Sequence, residues 1–221
     1  MITLHHLNNS RSQRVLWLLE ELGVPYEVMR YQRQPSMQAP PELRAIHPLG
    51  KSPVITDGDN VIAESGAILE YLVGRYGDGR LIPPPDTQER LRYTYWLHYA
   101  EGSAMPPLLF KLIFTMMPER APWPMRPLVR MVTGPALAMF VDPQLRAHMK
   151  FWESELASRA WFAGDAFSAA DIQMSFPLEA AAMRGGLDAR YPHAIAWLQT
   201  IHARPAYRKA LEVGGPYQFS K

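Results

Sequence analysis

The stretch Gly77-Asp78-Gly79-Arg80-Leu81-Ile82-Pro83-Pro84-Pro85 divides the chain into two parts with different periodicities. Glycine weakens helices and strands, and proline has no N–H to donate. No regular element is therefore expected to run through it, and the stretch suits a linker between domains.

Before this break, strand and helix signals alternate. Ile2-Thr3-Leu4-His5 reads as a short strand, and Asn8-Asn9-Ser10-Arg11-Ser12 as a polar turn rich in helix-capping residues. Val15, Leu18, Leu19 and Leu22 then repeat at helical spacing until Gly23 and Pro25 stop the run. Tyr26-Glu27-Val28-Met29 alternates as a second strand, and the segment 37–46 suits a short helix. Val54-Ile55-Thr56 and Val61-Ile62-Ala63 flank Asp57-Gly58-Asp59-Asn60 as a hairpin. Ile68, Leu69, Leu72, Val73 and Tyr76 mark the helix that follows. The order is βαβ, then ββα.

After the break everything reads as helix. Long periodic stretches cover 87–117 and 125–160, separated by the proline-rich piece from Pro118 to Pro127. Ser168-Ala169-Ala170-Asp171 carries a capping box with Asp in the place of Glu, opening another helix. Shorter helices are expected around 191–203 and 205–213. The expected domains are 1–78 and an all-helical 87–221, joined by 79–86.

Composition narrows the chemistry. With 221 residues, 48% of them apolar, the chain can bury one large core or two smaller ones. Its 23 basic and 21 acidic residues are spread evenly, so no nucleic-acid or membrane surface is marked. Cysteine is absent, which excludes disulfides, thiolate metal sites and a cysteine nucleophile. Any sulfur chemistry must come with the substrate. His5 and His6 are neighbours on a strand and point to opposite faces, so they cannot ligate a metal together, and no metal site is expected. The start of the chain lacks a signal-peptide pattern, which favours the cytoplasm.

Ser52-Pro53-Val54-Ile55 and Glu64-Ser65 carry the sharpest binding signal. A proline beside a strand marks a turn, expected here with a cis bond, and leaves the Val54 backbone open to an extended peptide. Ser65, at a helix start, adds backbone donors and a hydroxyl suited to an anion.

Taken with Arg14-Val15-Leu16-Trp17 behind the Asn/Ser turn, His47-Pro48-Leu49-Gly50-Lys51-Ser52-Pro53-Val54, Glu64-Ser65, Ser168-Ala169-Ala170-Asp171 and Arg204-Pro205-Ala206-Tyr207, the whole chain resembles a cytosolic glutathione transferase. The resemblance implies a thioredoxin-like N-terminal domain that binds glutathione, an all-α C-terminal domain that supplies an apolar substrate wall, and a homodimer. It implies no cofactor beyond glutathione itself as co-substrate, and a small hydrophobic electrophile as the second substrate. By resemblance, Val54 pairs with the cysteinyl residue, Glu64 and Ser65 hold the γ-glutamyl end, and Lys51 reaches the glycyl carboxylate. Ser52, Pro53, Arg11 and Ser12 complete the binding set, and Arg14 reads as a surface arginine at a helix start.

Such an enzyme must keep a thiol near pKa 8.5 ionised at neutral pH. One hydrogen bond to the thiolate contributes roughly 1.5–3 kcal/mol, enough to lower that pKa by about one to two. Ser10 is the first choice for this donor and Asn9, which falls where serine-type members carry their hydroxyl, is the second. Among Trp96, Tyr99, Met105, Leu109, Phe110 and Phe114 on the first long helix, Tyr99 and Phe110 are taken for the electrophile wall. Transfer to an electrophile, with peroxide reduction beside it, is the leading activity. Glutathione-dependent disulfide reduction and a non-catalytic adaptor or ligand-binding role of the same fold are the alternatives.

Overall fold

A computed structural model describes residues 1–36 and 38–220. The first part contains β1 (Ile2–Leu7), α1 (Ser12–Leu22), β2 (Tyr26–Tyr31), α2 (Glu42–Ile46), β3 (Val54–Asp57), β4 (Asn60–Ala63) and α3 (Ser65–Tyr76). Met37, at the start of the segment expected to hold a short helix, lies outside the described residues, and α2 occupies the second half of that segment, 42–46.

The four strands lie in the order β2-β1-β3-β4. β1 runs parallel to β2, with Ile2 opposite Tyr26, and antiparallel to β3, with His5 opposite Val54. β3 pairs antiparallel with β4 through the Asp57–Asn60 turn. This is the βαβ–ββα order of a thioredoxin-like domain.

The periodic positions of α1, Val15, Leu18, Leu19 and Leu22, are all buried, and Gly23 ends the helix in the left-handed region at φ 68°. That conformation carries a Cβ penalty for any other residue type. Ser12, Gln13 and Arg14 are buried as well, because α1 is packed between the sheet and the helical half rather than lying on an open surface.

The second part is helical throughout: α4 (Gln88–Tyr99), α5 (Met105–Arg120), α6 (Arg126–Ala136), α7 (Asp142–Ser158), α8 (Ala169–Ala180), α9 (Pro192–Ala203) and α10 (Pro205–Gly214). A wide turn at Ala100–Ala104 joins α4 to α5, and another at Leu137–Val141 joins α6 to α7. The break between the two long paths is shorter than the 118–127 expected, because α5 continues through Pro118 to Arg120. Every residue of α8 is buried, which makes it the centre of this half. Among the described residues, no helix is long and apolar enough to cross a membrane.

The halves are joined by more than the linker. Arg80 donates to the Leu22 carbonyl at 2.9 Å, and the Ala169 N–H donates to the Leu81 carbonyl at 2.9 Å. Arg204 grips Glu21 with two bonds of 2.6 and 2.8 Å. Its guanidinium also sits 3.8 Å from the centre of the Phe167 ring. The sheet half and the helical half therefore share one continuous apolar core.

Candidate active site

The turn between β1 and α1 is held by a chain of polar contacts. Ser10 Oγ accepts the Ser12 N–H at 3.2 Å, a local serine turn that leads into α1. It also bonds Ser12 Oγ at 2.8 Å, and Ser12 Oγ in turn bonds His6 Nδ1 at 2.8 Å. His6 is buried and its other ring nitrogen is engaged with the Gly214 backbone. Burial pushes the His6 imidazole down to about 4, so it is neutral near pH 7. Ser10, expected as the donor to the thiolate, and Ser12, expected in the binding set, are thus buried inside the turn and committed to one another.

Asn9 is placed differently. Its backbone is left-handed at φ 50°, a region that asparagine tolerates better than most residues. Its side-chain Oδ1 accepts the Gln218 N–H at 2.9 Å. Because that partner is an obligate donor, the amide orientation is fixed, and the Nδ2 hydrogens point elsewhere. Among the described residues, no hydrogen bond takes them.

Arg14 overturns its expected place on the surface. It is 1% exposed, with Nη1 donating to the Gln173 carbonyl at 2.7 Å and Nη2 to Ser65 Oγ at 2.9 Å. Nη2 also meets Glu101 Oε1 at 2.5 Å, and Arg11 reaches the other carboxylate oxygen at 3.3 Å. Both guanidinium groups lie over the Phe176 ring, at 5.7 Å for Arg11 and 5.6 Å for Arg14. Burial pushes the Glu101 carboxyl up, but the two arginines more than reverse it and hold it below the usual carboxylate range.

Ser65 is buried at the start of α3. Since Arg14 donates to its oxygen, the Ser65 hydroxyl proton is directed to another acceptor. Glu64, just before the helix, has φ 70° and ψ 125°, a left-handed position for a non-glycine residue. Its carboxylate takes no hydrogen bond among the described residues.

The Ser52–Pro53 bond is cis. Val54, expected to offer its backbone to a peptide, lies inside the sheet, opposite His5 on one side and Ala63 on the other. A strand flanked on both sides has no open ladder edge. The residue with an open backbone is Ser52: its Oγ donates to the His5 carbonyl at 2.9 Å, and no described residue bonds its N–H or C=O. Lys51 is exposed beside it.

Tyr99 does not line an open wall. It is 8% exposed, its hydroxyl bonds His148 and accepts from Trp152 Nε1 at 3.1 Å, and its ring packs among Tyr95, Trp96 and Phe151. The helical core takes it because Glu101, two residues on, occupies the side of the path that faces α1. Phe110 is half-exposed and stacks on Phe114 at 6.1 Å. Arg14, Glu101, Phe176 and Gln218 were missed from sequence. The polar Glu101-Gly102-Ser103 interruption of an otherwise aromatic and apolar path was the signal that could have found the second of them.

The family descriptions "Glutathione S-transferase, N-terminal domain" and "Glutathione S-transferase, C-terminal domain" match residues 1–74 and 107–205. The chain is 37% identical to Glutathione S-transferase 3 of Schizosaccharomyces pombe, over 96% of this chain and 87% of that protein. It is 33% identical to Glutathione S-transferase 1 of Saccharomyces cerevisiae, over 96% of this chain and 94% of that one. A crystal structure of a glutathione S-transferase from Actinobacillus pleuropneumoniae superposes with a TM-score of 0.77 at 33% identity, covering 100% of this chain and 96% of that one.

Proposed function

The chain belongs to the glutathione S-transferase family and is a glutathione transferase with glutathione as co-substrate, and from that premise we propose that Asn9, not Ser10, holds the glutathione sulfur. The observation that carries this is the Gln218 N–H on Asn9 Oδ1, which leaves the Asn9 Nδ2 hydrogens without a partner among the described residues, while Ser10 Oγ is committed to the Ser12 N–H and hydroxyl. An amide N–H aimed at a thiolate, with the first turn of α1 behind it, favours the charged sulfur. The thiolate then attacks an electrophilic carbon and expels its leaving group, or reduces a peroxide to the alcohol while its own sulfur is oxidised to the sulfenic acid, which a second glutathione converts to the disulfide with loss of water.

The rest of the tripeptide follows the same logic. The open backbone of Ser52 pairs with the cysteinyl residue in the role first expected of Val54. At the γ-glutamyl end, the carboxylate takes the Ser65 hydroxyl and the free N–H groups at the start of α3, and the ammonium takes the Glu64 carboxylate. The exposed Lys51 ammonium serves the glycyl carboxylate. A small hydrophobic electrophile sits against the stacked Phe110 and Phe114 rings. Assembly as a homodimer is supported by the exposed Leu91 and Tyr95 on α4, beside a hollow shared with Phe151.

The test compares Asn9→Ala with Ser10→Ala. The ultraviolet absorbance of bound glutathione thiolate is followed against pH. Asn9→Ala is expected to raise the thiol pKa by about one to two. Ser10→Ala, which loses the buried bonds to Ser12, is expected to cost about 1 kcal/mol of stability and leave that pKa in place. A raised pKa in Ser10→Ala alone would return the role to the serine.

A further inference from the structure

We propose that the segment Gly215–Ser220 is a positioning strap for the active site: it fixes the Asn9 amide through the Gln218 backbone N–H and is itself anchored by Tyr217 on Glu179. This rests on the reading that Asn9 holds the sulfur.

The hydrogen bond from Gln218 to Asn9 Oδ1, at 2.9 Å, spans 209 residues of sequence. A primary amide with one obligate donor on its oxygen cannot flip without losing that bond, so its NH2 is held to one direction. The Gln218 side chain is exposed and makes no bond among the described residues. What position 218 supplies is its main chain.

The strap is fastened on both sides of that N–H. Tyr217 is 8% exposed, and its hydroxyl donates to Glu179 Oε2 at 2.7 Å. Burial, with Glu179 beside it, pushes the Tyr217 phenol well up, so it remains a donor. Glu179 is 2% exposed and takes a second bond from the Tyr207 hydroxyl at 2.6 Å and a third from His202 Nε2 at 3.1 Å. A carboxylate this deeply buried and held by three partners is a rigid post. On the other side, Phe219 is 9% exposed and meets Phe176 at 4.9 Å, the ring that also lies under Arg11 and Arg14. The end of α10 that leads into the strap is tightly packed too, since a Cβ added at Gly214 would stand 2.5 Å from Gln13 Oε1 and 2.9 Å from Leu16 Cδ1.

A hydrogen-bonded anchor on one side of a single N–H and an apolar anchor on the other, with that N–H aimed at the proposed sulfur donor, is the arrangement a positioning element requires. Glu179 and Tyr217 would act through Asn9 without touching glutathione.

The test replaces Gln218 by proline, which removes the N–H at the first residue of a short helical turn, where proline is tolerated. Gln218→Ala keeps the N–H and serves as the control. Tyr217→Phe, which loses only the bond to Glu179, serves as a second variant should Gln218→Pro fail to fold. Thiolate absorbance and kinetics are measured on each full chain. Gln218→Pro is expected to raise the pKa of bound glutathione by about one, with kcat falling several-fold at pH 6.5 and recovering above pH 9, and KM for glutathione within twofold. Tyr217→Phe should shift both in the same direction by less, and Gln218→Ala should match the parent. In an Asn9→Ala background, Gln218→Pro should add nothing. A parental pKa in both strap variants, with a raised one in Asn9→Ala, overturns the strap and leaves the Asn9 reading intact. An unmoved pKa in Asn9→Ala overturns that reading first.

Discussion

Arg14 donates to Ser65 Oγ from 2.9 Å, so one buried cation ties the first turn of α1 to the first turn of α3. The same nitrogen reaches Glu101 in the helical half, which makes Arg14 the joint between the two halves at the site.

Replacing that joint should be costly. Arg14→Met removes the donors to Ser65, the Gln173 carbonyl and Glu101, and leaves two buried acceptors without partners. Glu101 is 30% exposed and keeps Arg11, which softens the effect. The expected loss is about 3 kcal/mol, read as a lower urea midpoint at an unchanged slope. A midpoint within experimental error of the parent would show that the network contributes little.

Acid should destabilise the protein through His6. Its ordinary value of 6.5 falls to about 4 in the fold, so between those limits the unfolded chain binds a proton that the folded one refuses. Stability from this group is present above pH 6.5 and is lost as the pH falls towards 4, by up to about 3 kcal/mol. Thermal midpoints from pH 7 to pH 4.5 should drop less steeply in His6→Asn than in the parent; equal slopes would remove His6 as the cause.

Asp171 works in the opposite direction. It is fully buried, and burial lifts its carboxyl to about 6 although the Phe162 and Ser168 amides and the Ser168 hydroxyl bond to it. Between its ordinary value of 3.8 and about 6 the folded state retains a proton that the unfolded state releases, so this contribution declines as pH rises through that window. Ser168→Ala should cost about 1 kcal/mol and Asp171→Ala about 3, with the double variant close to Asp171→Ala alone. Strict additivity in that cycle would mean that the two residues are not coupled.

Arg204→Lys tests the remote clasp between the halves. Lysine keeps the charge but loses the two-pronged grip on Glu21 and the stacking over Phe167. A loss of about 1–2 kcal/mol is expected in chemical denaturation, with the KM for glutathione unchanged. A raised KM with parental stability would reassign Arg204 to the binding site.

Much of this architecture was legible because it is local. The apolar spacing from Val15 to Leu22, Gly23 behind it, and the Asp57–Asn60 turn each specify an element from neighbouring residues alone. The site was legible in its types but less so in its assignments. Ser10 and Asn9 are both good donors, and the contacts on which the proposal separates them, Ser12 on Ser10 and the distant Gln218 N–H on Asn9, are ones that sequence spacing does not reveal. Val54 and Ser52 differ by two positions, and the separation depends on β4 closing the far side of β3. Arg14 resembled a surface arginine because nothing within α1 reveals that a second half will cover it.

Ser52, with its open backbone two residues before β3, has one further consequence. Its hydroxyl is engaged by the His5 carbonyl while its main chain stays open. A rung of that kind recognises a peptide bond and is blind to what the peptide carries. In the proposed binding mode, selectivity then belongs to the two ends, at Glu64 with Ser65 and at the exposed Lys51 ammonium. Bound in that proposed way, the ligand is measured as by a ruler between two terminal charges, and a dipeptide is expected to fall short of one of them.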